Sequence, residues 1–300
     1  MAVDVDALID RRKLKRRLLF WRLAAILLLI VMVVALVGGD RGPQGPHIAR
    51  IHVDGIIVGD SAREQMLKEI AEDDDIQAVV LSIDSPGGTA VGSELLYKRL
   101  RYIAERKPMV ASVRSIAASG GYIAALSADR IIASENSITG SIGVIFQVPE
   151  FSGLLDDIGV TVNEVKSGAL KGGPSPYKPM SEETRAELED MVDDAFEWFK
   201  DLVRDRRNFT EEQVLAVSDG RVFSGRQAVA NGLIDELGGD DEALVWLEDA
   251  HGIDGGLPLI DMEPPEDLPF MNRVLARITG DRLFVDRLSL DGLLTLWHAR

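Results

Sequence analysis

The stretch AVVLSIDSPGG, residues 78–88, opens on a run of aliphatic and β-branched residues and closes on a turn containing Pro86, Gly87 and Gly88. A short apolar run bounded by Gly and Pro reads as a buried strand. IARIHVDGIIV (48–58) stands before it and MVASVR (109–114) after it, with helical patterns at about Ala62–Ala71 and Thr89–Glu105 between them. Strands alternating with helices at this spacing predict βαβ units, a largely parallel sheet and an α/β fold. Shorter runs at Arg130–Ala133, Ile142–Val148 and Val160–Val165 are expected to be strands or turns of a wound β-coil. Further on, Ser181 precedes EETRAELEDMVDDAFEWFKDLVRDRR, and Thr210 is followed three residues later by Gln213, the spacing of a capping box. In the first of these helices Leu188, Met191, Val192, Ala195, Phe196, Phe199 and Leu202 keep a helical period, which predicts a packed amphipathic helix.

Upstream of the first strand the composition changes. LAAILLLIVMVVALVG (23–38) carries no charge, and with Leu18–Trp21 in front it approaches the ~20 residues needed to cross a bilayer. The run is longer than the ~7–15 residues of a secretory signal core and no small-x-small cleavage site follows it. An uncleaved signal anchor over 20–38 is therefore expected, after a basic segment at 1–19 and before a Gly/Pro-rich linker, GDRGPQGP, at 39–46. Residues 1–40 hold seven bases against four acids, a net of +3, which leaves −19 of the chain's −16 total for residues 41–300. The bases lie almost wholly before the apolar run, so the N-terminus is expected in the cytoplasm and the body outside, at the plasma or inner membrane. An acidic body offers no cationic face for nucleic acid. The domain is expected at 47–255, with a tail of unknown role at 256–300.

The chain has no cysteine, which excludes a thiol protease, a disulfide framework and a cysteine zinc site. Its histidines, His47, His52, His251 and His298, form no metal-ligand spacing. Three stretches carry chemistry. DSPGG (84–88) follows a strand, where catalytic groups of α/β sheets collect, and its glycines let a backbone N–H approach a reacting oxygen. SIAASGGYIAALSAD (115–129) surrounds Ser119 with Ala117, Ala118, Gly120 and Gly121 at a helix start. That position suits an ordinary cap, and equally a nucleophile whose oxyanion the helix N–H groups would stabilise. A serine needs a base to remove its proton, and with the histidines badly placed a lysine is sought in VKSGALKGGPSPYKPMS (165–181). Lys166 falls in the alternating strand VNEVK, where it is expected to be solvated, and Lys178 lies between Tyr177 and Pro179 near the next helix. Lys171 sits beside Leu170, Gly172 and Gly173, where a tight, partly apolar site would favour the neutral amine, and spacing alone leaves the choice among them open. In ENSITGSIGVIF (135–146), Thr139 and Ser141 flank a glycine; Ser141 is the favoured hydroxyl to orient a neutral lysine.

These motifs resemble a known family, the signal peptide peptidase A group of Ser–Lys proteases (peptidase family S49), in its short single-domain form. The similarity covers roughly 47–240 through DSPGG (84–88), ASGGYIAA (118–125), GSIGVI (140–145), KSGALKGGPSPYKPMS (166–181) and FSGRQAVANGLIDELGG (223–239). The resemblance implies a Clp protease/crotonase-like wound ββα core with an N-terminal transmembrane helix. It implies Ser119 as nucleophile, Lys171 as base, Gly88 as oxyanion donor beside Gly120, and Ser141 as the lysine's partner. It further implies cleavage of remnant signal peptides and similar apolar peptides through an acyl-enzyme, with no cofactor, on a homo-oligomer in which the lysine of one subunit can complete the site with the serine of its neighbour; whether the dyad here lies within one chain or across two stays open. A crotonase-like acyl-thioester enzyme and a catalytically silent membrane scaffold are the alternatives.

Overall fold

The computed structural model describes residues 5–37 and 45–264. The body, Gly45–Pro265, forms a unit distinct from the one containing the N-terminal helix α1 (Val5–Val37). Among the described residues no helix is long and apolar enough to cross a membrane. The expected anchor at 20–38 coincides with the later part of α1, but the side chains of 31–37 and the whole of Gly38 lie outside the described residues, as do 39–44 of the linker and 265–300 of the tail.

Within the body the expected alternation holds. β1 (His47–Ile57), α2 (Ser61–Glu72), β2 (Ile76–Gly88), α3 (Ala90–Ala104) and β3 (Met109–Ala118) follow one another, then α4 (Gly120–Ala125), β4 (Arg130–Ala133) and β5 (Ile138–Gly140). A short α5 (Ser152–Asp157) precedes the long α6 (Glu182–Arg207) and α7 (Glu211–Val217), and the chain closes with β6 (Val222–Ser224), α8 (Gly225–Ala230), β7 (Glu236–Leu237), α9 (Asp240–His251) and β8 (Leu259–Met262). The sheet runs β6-β5-β3-β2-β1-β8, with β4 beside β3 and β7 beside β4. All described pairings are parallel except β5 with β6. This mostly parallel mixed α/β architecture fits the expected Clp protease-like core.

Strand β3 forks. Val110–Val113 pair with β4, whereas Ile116–Ala118 pair with β5. β3 therefore changes neighbours along its length, and Ser119 follows directly on its last residue. One sheet face packs against α2, α3, α4 and the end of α6 around Leu81, Ile83, Leu100, Tyr122 and Phe199. The other is covered by Ala243 and Leu247 of α9, lying on Ile48, Ala78, Val80, Val110 and Ile132.

Four expectations are corrected. DSPGG is not a free turn: β2 continues to Gly88, with a register shift against β3 after Ile83. The runs 142–148 and 160–165 form no strand. Helix α6 buries only Phe199, Lys200 and Val203, while Leu188, Val192, Ala195, Phe196 and Leu202 are half-buried and Met191 is 49% exposed, so the expected packed face is fully buried only toward the end of the helix. The sheet also extends past residue 255, because β8 pairs with Ile48–Ile51 of β1.

Candidate active site

Two loops meet backbone to backbone beyond the ends of β2 and β3, and small residues make the meeting possible. A Cβ on Gly87 (φ +115°) would lie 3.0 Å from both the Gly120 nitrogen and the Ser119 Cβ. One on Gly120 would fall 3.1 Å from the Gly88 nitrogen, and one on Gly121 would strike the Ser85 carbonyl at 2.5 Å. Ser85 is fully buried and fixes the first loop by donating its hydroxyl to the Gly55 carbonyl (2.6 Å) while accepting from the Gly87 N–H (3.1 Å). The second loop is anchored by Tyr122, whose buried hydroxyl donates to the Leu233 carbonyl at 2.7 Å; burial pushes this phenol above its usual range. Leu233 belongs to the FSGRQAVANGLIDELGG motif, which thus has a clear structural part in holding α4.

Ser119 adopts φ 52°, ψ −119°, a conformation that L-residues rarely hold. Its N–H donates to the Gly140 carbonyl (2.9 Å) and its carbonyl accepts from Tyr122 and Ile123 (2.9 and 3.0 Å). The backbone is therefore pinned, while the hydroxyl caps nothing, so the bland role of a helix cap is not the one it fills. A strained strand-to-helix turn that displays a serine is the geometry of a nucleophile elbow. Ser141 is also in left-handed backbone, φ 51°, its N–H bonded to the Arg221 carbonyl at 2.8 Å. Thr139, the competing hydroxyl, is buried and donates to the Ala117 carbonyl at 2.8 Å.

Gly88, Ser119, Gly120 and Ser141 line one cavity of about 800 Å³. Its walls are apolar, with Ile123, Ile142, Val144, Val192, Phe196 and Phe199 contributing. The last three lie on α6, and the sequence signalled only that they share one helix face.

No lysine lines this cavity. Lys171 is exposed in a turn closed by its own N–H to the Gly168 carbonyl (3.2 Å). Its two competitors are engaged elsewhere. Lys166 and Lys178 both pair with Glu164, at 3.0 and 2.8 Å, and Ser175 donates to the same carboxylate at 3.1 Å. Lys178 first, then Lys166, pull the Glu164 carboxyl down to about 2. Lys166 is thus neither in a strand nor solvated as its pattern suggests. Among the described residues Lys171 alone of the three has no ion pair. No cluster of potential metal ligands occurs among the described residues.

A deep apolar cleft with a displayed serine and glycine backbone on its rim defines the class, a serine peptidase built on a mostly parallel sheet. A family model described as peptidase family S49 matches residues 102–254. A candidate protease of Synechocystis sp. is 36% identical over 78% of this chain and 83% of its own length. A candidate signal peptide peptidase of Enterococcus faecium is 37% identical over 70% of this chain and 65% of its own. A candidate protease of Methanocaldococcus jannaschii is 35% identical over 61% of this chain and 59% of its own. The chain belongs to peptidase family S49, and it spans 59% to 83% of the length of these relatives.

Proposed function

We propose that this chain is a membrane-anchored endopeptidase with a Ser–Lys dyad, in which Ser119 is the nucleophile and Lys171, supplied by a neighbouring subunit, is the base. The observation that carries the reading is the pinned, strained Ser119 with an uncommitted hydroxyl on the rim of an apolar cleft, beside Gly88 and Gly120. The neutral lysine amine takes the proton of the Ser119 hydroxyl as the oxygen attacks the scissile carbonyl. The N–H groups of Gly88 and Gly120 stabilise the oxyanion of the tetrahedral intermediate. The ammonium then returns the proton to the leaving amine, and water, deprotonated by the same lysine, hydrolyses the acyl-enzyme. Ser141, in its left-handed turn on the cavity wall, orients the lysine through its hydroxyl.

Lys171 is favoured because Glu164 occupies both other lysines of its segment. A lysine outside the cleft of its own chain points to completion of the site across subunits. The apolar walls suit remnant signal peptides, which are aliphatic by composition, and the enterococcal relative carries the name of a signal peptide peptidase. The uncharged run at 23–38 with bases before it supports a single-pass anchor with the body outside the cytoplasm.

The test is mass spectrometry of the full chain after a fluorophosphonate probe, with cleavage of a fluorogenic apolar peptide measured in parallel. Label on Ser119, and loss of cleavage in both Ser119→Ala and Lys171→Ala with the assembly size unchanged, is the expected result. Cleavage retained by either variant overturns the dyad. Thioester turnover without any label would instead indicate a crotonase-like enzyme, and neither activity a silent scaffold.

A further inference from the structure

Five buried side-chain polar atoms among the described residues have no hydrogen-bond partner, and two of them, the hydroxyls of Ser93 and Ser218, belong to residues lining the cleft. Ser93 is the better placed. It lies in the first turn of α3, the helix that begins directly after Gly88, and its N–H is already used on the Thr89 carbonyl (2.9 Å). Only 2% of the residue is exposed. Its oxygen sits 2.2 Å from where a Cβ on Gly120 would be, and that same point is 3.1 Å from the Gly88 nitrogen. The hydroxyl is therefore wedged behind the two backbone segments that the Ser–Lys reading uses to bind the oxyanion.

A buried hydroxyl without a partner is an expensive thing to keep, because it has lost water and gained no acceptor. A serine inside a helix can turn its hydroxyl onto the carbonyl four residues back, yet Ser93 does not do so with Thr89. We propose that Ser93 is a positioning residue whose hydroxyl donates to a carbonyl oxygen of the segment carrying Gly88 or Gly120 only when that carbonyl shifts as the acyl oxygen binds, which leaves both N–H groups to the oxyanion. The unmade bond raises the resting arrangement relative to the engaged one. An interaction present in the transition state and absent in the ground state raises kcat and leaves substrate binding alone. The inference rests on the reading of Ser119 as nucleophile.

The experiment compares the full-length wild type, Ser93→Ala and Ser119→Ala by peptide-cleavage kinetics and thermal melting. Ser93→Ala keeps the Cβ and removes only the orphan hydroxyl, so kcat is expected to fall about tenfold, the loss of one hydrogen bond, with KM within about twofold. The melting temperature should stay the same or rise, since a destabilising group has gone. The inference is overturned by an unchanged kcat, by a KM that rises as much as kcat falls, or by a lower melting temperature or failure to fold, which would mark Ser93 as a mere packing residue. Activity retained by Ser119→Ala would instead overturn the Ser–Lys reading itself.

Discussion

Among the described residues three non-glycine residues hold backbone of positive φ, and they divide by purpose. Asn208 caps the C-terminus of α6, where asparagine is at ease and the conformation relieves orphan carbonyls. Ser119 and Ser141 have no such excuse, and each is pinned through its N–H to a carbonyl on a neighbouring segment, Gly140 and Arg221. Strain of this kind costs about 1–3 kcal/mol per residue and persists only where the surroundings impose it. The glycines opposite them are equally constrained, by space rather than by angle. A Cβ on Gly88 would lie 1.8 Å from the Ile57 carbonyl oxygen, the same atom that accepts from the Thr89 N–H at 2.9 Å. Gly88→Ala must therefore part the ends of β1 and β2 and is expected to cost about 3 kcal/mol, the upper range of overpacking, with loss of probe labelling. Gly143→Ala is the control, because its Cβ would stand 3.6 Å from the Gly220 Cα, an ordinary contact, and its melting curve should be nearly that of the wild type. Equal melting temperatures for the two variants would show that the close approach at Gly88 is not rigid.

At the scale of elements, the segment between β5 and α6 behaves as a loop with a neck. Glu164 ties Lys166 on one side of Lys171 to Ser175 and Lys178 on the other, so the Lys171 turn is the tip of a closed excursion. Because the Glu164 carboxyl is held at about 2, below its unfolded value near ~4.3, the neck is fully formed above that unfolded value and is lost only as the pH falls toward 2. An acidic loss of activity between pH 5 and 7 should accordingly be the same in Glu164→Gln as in the wild type, while that variant, with a weaker neck, should lose roughly tenfold in kcat/KM, the usual penalty for a misplaced catalytic group. Limited proteolysis should nick the variant within 160–178 faster than the wild type; equal nicking rates would mean the neck does not depend on Glu164. The early elements of the body are readable because β2 and β3 are buried on both faces over 78–83 and 109–113 and so are near-continuous in apolar residues, while β1 alternates its apolar residues with Arg50, His52 and Asp54 and the caps between them carry their own residue types. The site was half readable. Small residues around Ser119 and the DSPGG glycines announce close backbone approach, but the fork in β3 leaves no mark in composition, and Ser93 is a lone serine in a helix. VTVNEVK (160–166) alternates as a strand does, yet no sheet edge among the described residues takes it up, so period alone misleads. β8 was missed because four residues interrupted by Asp261 are too short to declare themselves, although Asp261 then bonds Arg50 and His52 of β1 at 2.5 and 2.8 Å.

At the scale of the whole molecule, the decisive feature is where the body fails to cover itself. Ile145 (80%), Leu154 (60%), Ile158 (63%) and Val165 (103%) are exposed along the segment that carries Lys171, and Met191 is exposed on α6. Exposed large aliphatic side chains in this number are what an interface would use. On the proposed Ser–Lys reading, a second copy of the chain would both cover these side chains and bring a Lys171 to a cleft that no lysine lines among the described residues. Head-to-tail contacts of this kind are heterologous, and they close into rings when the rotation allows. The prediction that separates a shared site from an in-chain one is complementation. On the proposed dyad, Ser119→Ala and Lys171→Ala chains are each expected to be inactive alone, and if the dyad lies within one chain every mixture of them is expected to be inactive too. If it lies across an interface, a co-assembled mixture joins an intact Ser119 from one parent to an intact Lys171 from the other in about a quarter of its sites, for random placement in a ring of heterologous contacts. Co-expression of the two variants with different affinity tags, tandem purification of the mixed assembly and peptide cleavage would measure it. Activity near that fraction of wild type is expected, and the surviving label should sit only on the chain that retains Ser119. A mixed assembly with no activity, despite correct stoichiometry, would place both residues of the dyad in the same chain and require the Lys171 excursion to fold back over its own cleft.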